Sequence, residues 1–147
     1  MRFTDEHQQL RRTVRELIEK EINPHYEKWE EEGGFPAREV FRKMGNLGLL
    51  GINKPEKFGG MGLDYSYQMV ADEEMGTCAG GSIGMAVGVQ TSMATPALAR
   101  WGTDELRQEF LVPAIAGEQV TAIAVSEVSG GSDVAALVIH IFEPLIT

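Results

Sequence analysis

Leu10, Val14, Leu17, Ile18 and Ile22 recur at helical spacing, with Arg11, Arg12, Arg15, Glu16 and Glu19 on the intervening faces. That pattern predicts an amphipathic helix as the strongest element of the chain. Thr4 is placed to cap it, and Asp5 and Glu6 put negative charge in its first turn, where free amides and the helix dipole favour it. Asn23-Pro24 ends or bends the run. A second, shorter helix begins near Pro36, uses Val40, Phe41, Met44 and Leu47 as its buried stripe, and is stopped by Gly48. Residues 51–63 read as a loop, with Gly59-Gly60 and Gly62 supplying backbone freedom. Asp64 caps a third helix carrying Tyr67, Val70, Ala71 and Met75.

Gly80-Gly81-Ser82 breaks the chain again, and a run of small apolar residues follows, poor in charge from 82 to 99. It predicts a central helix, or a close pair, buried on several sides. Thr103 with Asp104 and Glu105 opens a fifth helix through Leu106, Phe110, Leu111 and Ile115, kinked or shortened by Pro113. The segment from Thr121 to Val125 is apolar, partly β-branched and bounded by glycines, so it reads as a strand. Residues 135–142 are apolar almost throughout and read either as a further strand or as a hydrophobic tail with no sheet to join. The fold class predicted is all-α, roughly five to six helices with a short β extension at the C-terminal end.

Composition narrows the function classes. Thirteen Lys plus Arg against twenty-two Asp plus Glu give a formal charge of -9 over 147 residues. Such a surface repels a polyanion, so nucleic acid is not an expected partner. The single cysteine, Cys78, has no second thiol for a disulfide or a thiolate cluster, which points to a reducing setting and to no metal site. The N-terminus turns acidic before any hydrophobic run, unlike a secretory or transit signal, and no stretch is long and apolar enough to span a membrane.

The constellation with most chemistry is Ser126-Glu127-Val128-Ser129-Gly130-Gly131-Ser132-Asp133. Adjacent glycines let a phosphate or flavin edge approach the backbone, and three serines offer hydroxyls. Gly, Ser and Asp also dominate ordinary turns, and the two carboxylates oppose a phosphate, so composition alone favours a structural turn. The residues of a phosphate-binding loop or a dinucleotide loop are absent at the required spacing.

Ala122-Ile123-Ala124-Val125-Ser126-Glu127 followed by Gly131-Ser132-Asp133-Val134 resembles the segment of acyl-CoA dehydrogenases that leads from their helical domain into their middle β domain. Leu49-Leu50-Gly51-Ile52, Pro55-Glu56-Lys57-Phe58-Gly59-Gly60-Met61-Gly62-Leu63 and Asp72-Glu73-Glu74-Met75-Gly76 resemble earlier parts of the same pattern, in order and at compatible separations. The resemblance covers roughly residues 3 to 137. Val128 stands where the family usually has proline, and Ser129-Gly130-Gly131 where it has Gly-Ala-Gly.

The resemblance implies a helical domain over 1–119 and, over 120–147, the truncated start of a middle β domain with a divergent tail. It implies FAD as the family's cofactor, with Ile123, Val125 and Ser126 beside the flavin ring, and acyl-CoA as its substrate, with Ser132 near the CoA arm and Met85 and Met93 on the acyl pocket. The activity implied is oxidation of acyl-CoA to trans-2-enoyl-CoA. In the family the base is a Glu from the C-terminal helical region, and no residue here matches it, so no catalytic residue is assigned. The chain alone is therefore expected to bind FAD weakly or not at all and to lack turnover. The other reading is a binding or assembly fragment that self-associates or joins a full-length subunit. The expected setting is cytoplasmic, or the mitochondrial matrix in a eukaryote.

Other polar residues take plainer readings. His7 and His25 read as surface or capping residues, His140 as a tail residue, and Cys78 as a small packing group. Glu73 and Glu74 are adjacent, diverge on a helix, and read as surface or interdomain contacts rather than an acid–base pair. The remaining methionines read as core, and Trp29 and Trp101 as packing anchors.

Overall fold

A computed structural model describes residues 3–126 and 130–133. Helix α1 (Asp5–Leu17) continues through a π-helical turn, Ile18–Ile22, and a 3-10 turn, Asn23–His25, into the short α2 (Tyr26–Glu31). Pro24 removes one amide donor, and the chain answers by changing helical type rather than stopping. Helix α3 (Ala37–Asn46) buries Val40, Phe41 and Met44 as the pattern predicts, but Leu47 falls past its end and is exposed. Gly48 then turns the chain at φ +74.

The third predicted helix is α4 (Tyr65–Met75), whose Asp64 cap accepts the Ser66 amide at 2.7 Å. The charge-poor run resolves as a close pair, α5 (Gly81–Gly88) and α6 (Thr95–Trp101), joined by a π-helical turn, Val89–Ala94. The fifth is broken into α7 (Asp104–Leu106), a π-helical turn (Arg107–Leu111) and α8 (Val112–Ile115), with Pro113 inside the first turn of α8.

The expected β extension is not there. Residues 121–126 take up no regular secondary structure, and no strand forms among the described residues, so the domain is all-α. Ile123 and Val125 have the alternation of a strand but lie half exposed, with no neighbouring strand among the described residues to accept their backbone hydrogen bonds. The second candidate strand, 135–142, lies outside the described residues, as do Glu127 and His140.

The main core joins Val14, Ile18 and Ile22 to Phe41, Met44, Leu50, Ile52, Ala71 and Ile83. Two close backbone approaches hold its edge. A Cβ on Gly45 would lie 2.2 Å from the Ala116 carbonyl oxygen, and one on Gly117, at φ +72, would lie 2.1 Å from that of Phe41. Only glycine fits either position, so α3 seats directly on the turn after α8.

Helices α1 and α4 are locked by polar groups that sequence spacing does not reveal. Glu74, with 2% of its side chain exposed, accepts from Arg11 Nη1 at 2.7 Å and from Arg15 Nε and Nη2 at 2.9 and 3.0 Å. Glu73 diverges to the surface as expected and pairs with Arg11 at 2.5 Å, but Glu74 is a buried contact within the domain. His7 caps as predicted, although from a buried position. Its Nδ1 accepts the Thr4 amide at 3.1 Å, and its Nε2 lies 2.8 Å from Ser66 Oγ, which donates to Asp64. That network places the ring proton on Nε2, while the ring stacks on Tyr67 with centroids 3.8 Å apart.

The two arginines hold the Glu74 carboxyl below the usual carboxylate range, Arg15 contributing most and burial opposing. A depressed carboxylate stabilises the fold above its unfolded value and loses that contribution as pH falls through the folded one. Glu74→Ala is therefore expected to cost about 2 kcal/mol near neutral pH, less than an isolated buried pair because both arginines keep access to water. Denaturant melts of the wild type and Glu74→Ala should converge as pH drops below the ordinary glutamate value of 4.5. A gap that stays constant down to about pH 3 would show that Glu74 acts through packing alone.

Candidate functional site

An open, largely apolar groove of about 410 Å³ lies between the end of α4, α5 and the π-helical turn Val89–Ala94. Met75 and Val87 form its inner wall, Met85 and Met93 flank it, and Asp72 is the one carboxylate on it. Its floor is small because of helical spacing. Gly81, Gly84, Gly88 and Ser92 recur three and four residues apart, so they share one face of the helix and its continuation. A Cβ on Gly81 or Gly88 would meet no atom within 4 Å. Those glycines therefore leave space rather than permit a close contact.

Met85 and Met93, which the resemblance assigns to the acyl pocket, both line this groove, 61% and 45% exposed. Met44 and Met75 are core, as expected of most methionines, whereas Met61 and Met69 are also exposed. Trp29 packs on the core, but Trp101 is 74% exposed under the Arg100 guanidinium and anchors nothing. Cys78 packs beside the main core and also lines the groove. Burial pushes its thiol up to about 11.

Ile123, Val125 and Ser126 are exposed side chains on the irregular segment that leaves the helical domain, and Ser132 is exposed further along. What places that segment is Gln90, a buried residue that sequence reasoning passed over. Its Nε2 donates to the carbonyls of Ala114 and Gln119, both at 3.0 Å, and its Oε1 accepts from the backbone amide and hydroxyl of Thr121, both at 2.7 Å. All four hydrogen bonds open to an amide side chain are made. The helix that floors the groove is thus tied to the start of the segment carrying Ile123, Val125 and Ser126.

Ile123 and Val125 offer exposed apolar surface and Ser126 an exposed hydroxyl. These groups fit one edge of a flat aromatic ring such as a flavin. They fit no metal, and no group of three or more His, Cys, Asp or Glu residues that could hold one occurs among the described residues. No helix among those residues is long and apolar enough to cross a membrane.

With this arrangement in view, residues 4–118 match the family described as "Acyl-CoA dehydrogenase, N-terminal domain". The chain belongs to the acyl-CoA dehydrogenase family. It is similar to the mitochondrial isovaleryl-CoA dehydrogenase of Solanum tuberosum, 40% identical over 136 residues that cover 92% of this chain and 33% of that protein. Among solved structures it is similar to acyl-CoA dehydrogenase from Geobacillus kaustophilus, with a TM-score of 0.82, 38% identity, and coverage of 92% of this chain and 35% of that one. It is also similar to an acyl-CoA dehydrogenase complexed with FAD from Bacillus anthracis, with a TM-score of 0.83, 27% identity, and coverage of 92% and 23%. The chain spans about a third of the length of the curated relatives it matches.

The Cys78 thiol can report on the groove. Raising it from the ordinary 9.0 to about 11 leaves about a hundredfold less thiolate near pH 8. Alkylation of the folded chain should be slower than that of the urea-unfolded chain by about that factor. Gly88→Leu should slow it further while the thermal midpoint holds or rises, because a helical glycine gives way to a better helix former in open space. Equal labelling rates in folded and unfolded chains would show that Cys78 does not face a formed groove.

Proposed function

We propose that this domain supplies one wall of the acyl site and one edge of the flavin site of an acyl-CoA dehydrogenase, an enzyme oxidising acyl-CoA to trans-2-enoyl-CoA. The observation that carries the reading is the apolar groove, tied through Gln90 to the exposed Ile123, Val125 and Ser126. Apolar walls with few polar groups suit an acyl chain, and Met85 and Met93 can adapt to it because thioethers fill irregular space. The glycine floor leaves depth for the chain. Ser126 would offer its hydroxyl to the cofactor and Ser132 to the CoA arm.

When bound, FAD supplies the hydride acceptor for the β carbon, and the protein's part is to place acyl chain, cofactor and base together. Residues here bind and orient. None is assigned to proton removal, because the one carboxylate on the groove, Asp72, accepts from Gln68 Nε2 at 2.9 Å and lies where an acyl chain would pass. Residues 1–119 serve as the helical domain, and 120–147 lead toward the middle β domain. The mitochondrial relative supports the matrix as the setting, and the cytoplasm suits a bacterial source.

A second reading has its own observation. Trp101, Leu106 and Phe110 are large, apolar and exposed, which suits a fragment that self-associates or joins a full-length dehydrogenase subunit.

With only one wall present, the 147-residue chain is expected to lose FAD on dialysis and to show no turnover with excess FAD, acyl-CoA and an artificial electron acceptor. It is nevertheless expected to bind acyl-CoA more tightly than CoA in calorimetry, by about tenfold for each two added methylenes buried. Equal affinity for CoA and octanoyl-CoA would remove the acyl wall from this groove. Substrate-dependent bleaching of flavin that turns over, and that vanishes in Asp72→Asn or Glu127→Gln, would show a complete site with a base on this chain.

A further inference from the structure

Lys54 is a lysine in the core, 2% exposed, with its Nζ donating to Asn53 Oδ1 and to the Thr91 carbonyl, both at 2.7 Å. Burying an ammonium group is costly unless its hydrogen bonds return something specific. What Lys54 reaches is a carbonyl in the π-helical turn Val89–Ala94. Five residues on is Pro96, which has no amide hydrogen to give back to Thr91. That turn carries Ser92 and Met93, two residues of the groove wall.

We propose that Lys54 is a positioning residue for the groove, its buried ammonium holding the π-helical turn Val89–Ala94 and so setting where Ser92 and Met93 stand. The inference rests on the reading of the groove as an acyl site for its consequence, but not for its geometry. Lys54 touches the turn through the Thr91 carbonyl and is not among the residues lining the groove, so its hydrogen-bonded contact with the groove wall runs through the turn. A hydrogen bond from a charged donor is roughly twice as strong as one from a neutral amine. The hold on Thr91 is therefore strongest while Lys54 is protonated.

Burial lowers Lys54 from 10.5 to about 8, with the Asp72 carboxylate of α4 pulling it back up. Asn53 and Thr91 are neutral, and Tyr65 of α4 and Arg100 of α6 line the cleft on the other side of Lys54. A lysine lowered in the folded state makes the whole fold gain stability as pH rises from about 8 toward 10.5, because the unfolded chain holds the proton more tightly there. Over the same interval the grip on Thr91 weakens. Global stability and local positioning thus move in opposite directions, which a buried lysine with no hold on the turn would not produce.

The test is methyl NMR of the whole 147-residue chain labelled at its methionines, titrated from about pH 6.5 to about pH 9.5, with thermal melts at each point. Cys78, also on the groove, is raised to about 11 and stays protonated throughout. The Met93 methyl should shift with one inflection near pH 8, while Met44, buried in the main core, shows none. Asp72→Asn should move the inflection to lower pH, and Lys54→Leu should abolish both the inflection and the rise in thermal midpoint. If Lys54→Leu does not fold, the wild-type and Asp72→Asn titrations decide alone. A Met93 signal that does not titrate, or an inflection that Asp72→Asn leaves in place, overturns the assignment. Titration of Met93 in a chain that binds octanoyl-CoA no better than CoA supports the positioning role while removing the acyl ligand from the groove.

Discussion

The π-helical turn between α5 and α6 is the constraint on which the candidate site depends. Pro96 cannot donate a backbone hydrogen bond to Ser92 in an α-helical register or to Thr91 in the wider one, so a straight helix through 81–101 would carry unpaired carbonyls inside the protein. The structure answers at Thr91 with a side chain, Lys54, which donates to its carbonyl. Two hydroxyls donate to carbonyls of the same stretch, Thr91 Oγ1 to that of Val87 at 2.9 Å and Thr95 Oγ1 to that of Gln90 at 2.6 Å. Within this turn Gln90 faces α8 and the segment beyond it. The groove floor, laid by the glycines of α5, and the exit segment, held by Gln90, thus meet at one local departure from α-helix.

A different lock keeps the rest of the domain still. Glu74 ties α4 to α1 through two arginines, and His7 ties the first turn of α1 to the start of α4 through Ser66 and Asp64. Both sit on helices whose apolar stripes already meet, so the polar groups choose among registers rather than create the packing. A shift of one turn would leave the buried Glu74 carboxylate with one guanidinium where it now has two, and would part His7 from Ser66. The geometry handed on to α5 through α4 is for that reason sharply defined, and the groove lies at the far end of that handover.

The helices were legible because period, caps and breakers agree within each segment: Asp64, Thr103 and the stripes of α1 and α3 act locally. The β extension misled for the opposite reason. Thr121 to Val125 carries strand composition, but a strand is stabilised by a partner, and composition says nothing about whether one is at hand. Glu74, His7, Gln90 and Lys54 were beyond reach because each is defined by a contact dozens of residues away. Glu74 and Glu73 look alike in sequence, and only the position of Arg15 across the helix interface makes one buried and the other exposed. Met85 and Met93 came from family resemblance, whereas the glycine spacing beneath them was visible in the sequence and becomes informative only once the helix is known to face open space.

The groove's lining also bears on how a helical domain can present an open concavity. Its floor is glycine and serine, so no bulky side chain fills it, and the larger methionines stand at the rim. Folding of the helical domain is thereby separated from enclosure of a ligand. Enclosure needs a second surface, and on the proposed reading it would exclude water from the groove and from the segment carrying Ile123, Val125 and Ser126 together, since Gln90 fixes one relative to the other. Flavin-dependent chemistry demands that coupling more than it demands any one tight contact, because a displacement of about 1 Å between reacting groups costs on the order of a hundredfold in rate. A buried amide with all of its hydrogen bonds made suits that coupling, because it has no charge to titrate and any movement of either element breaks at least one bond.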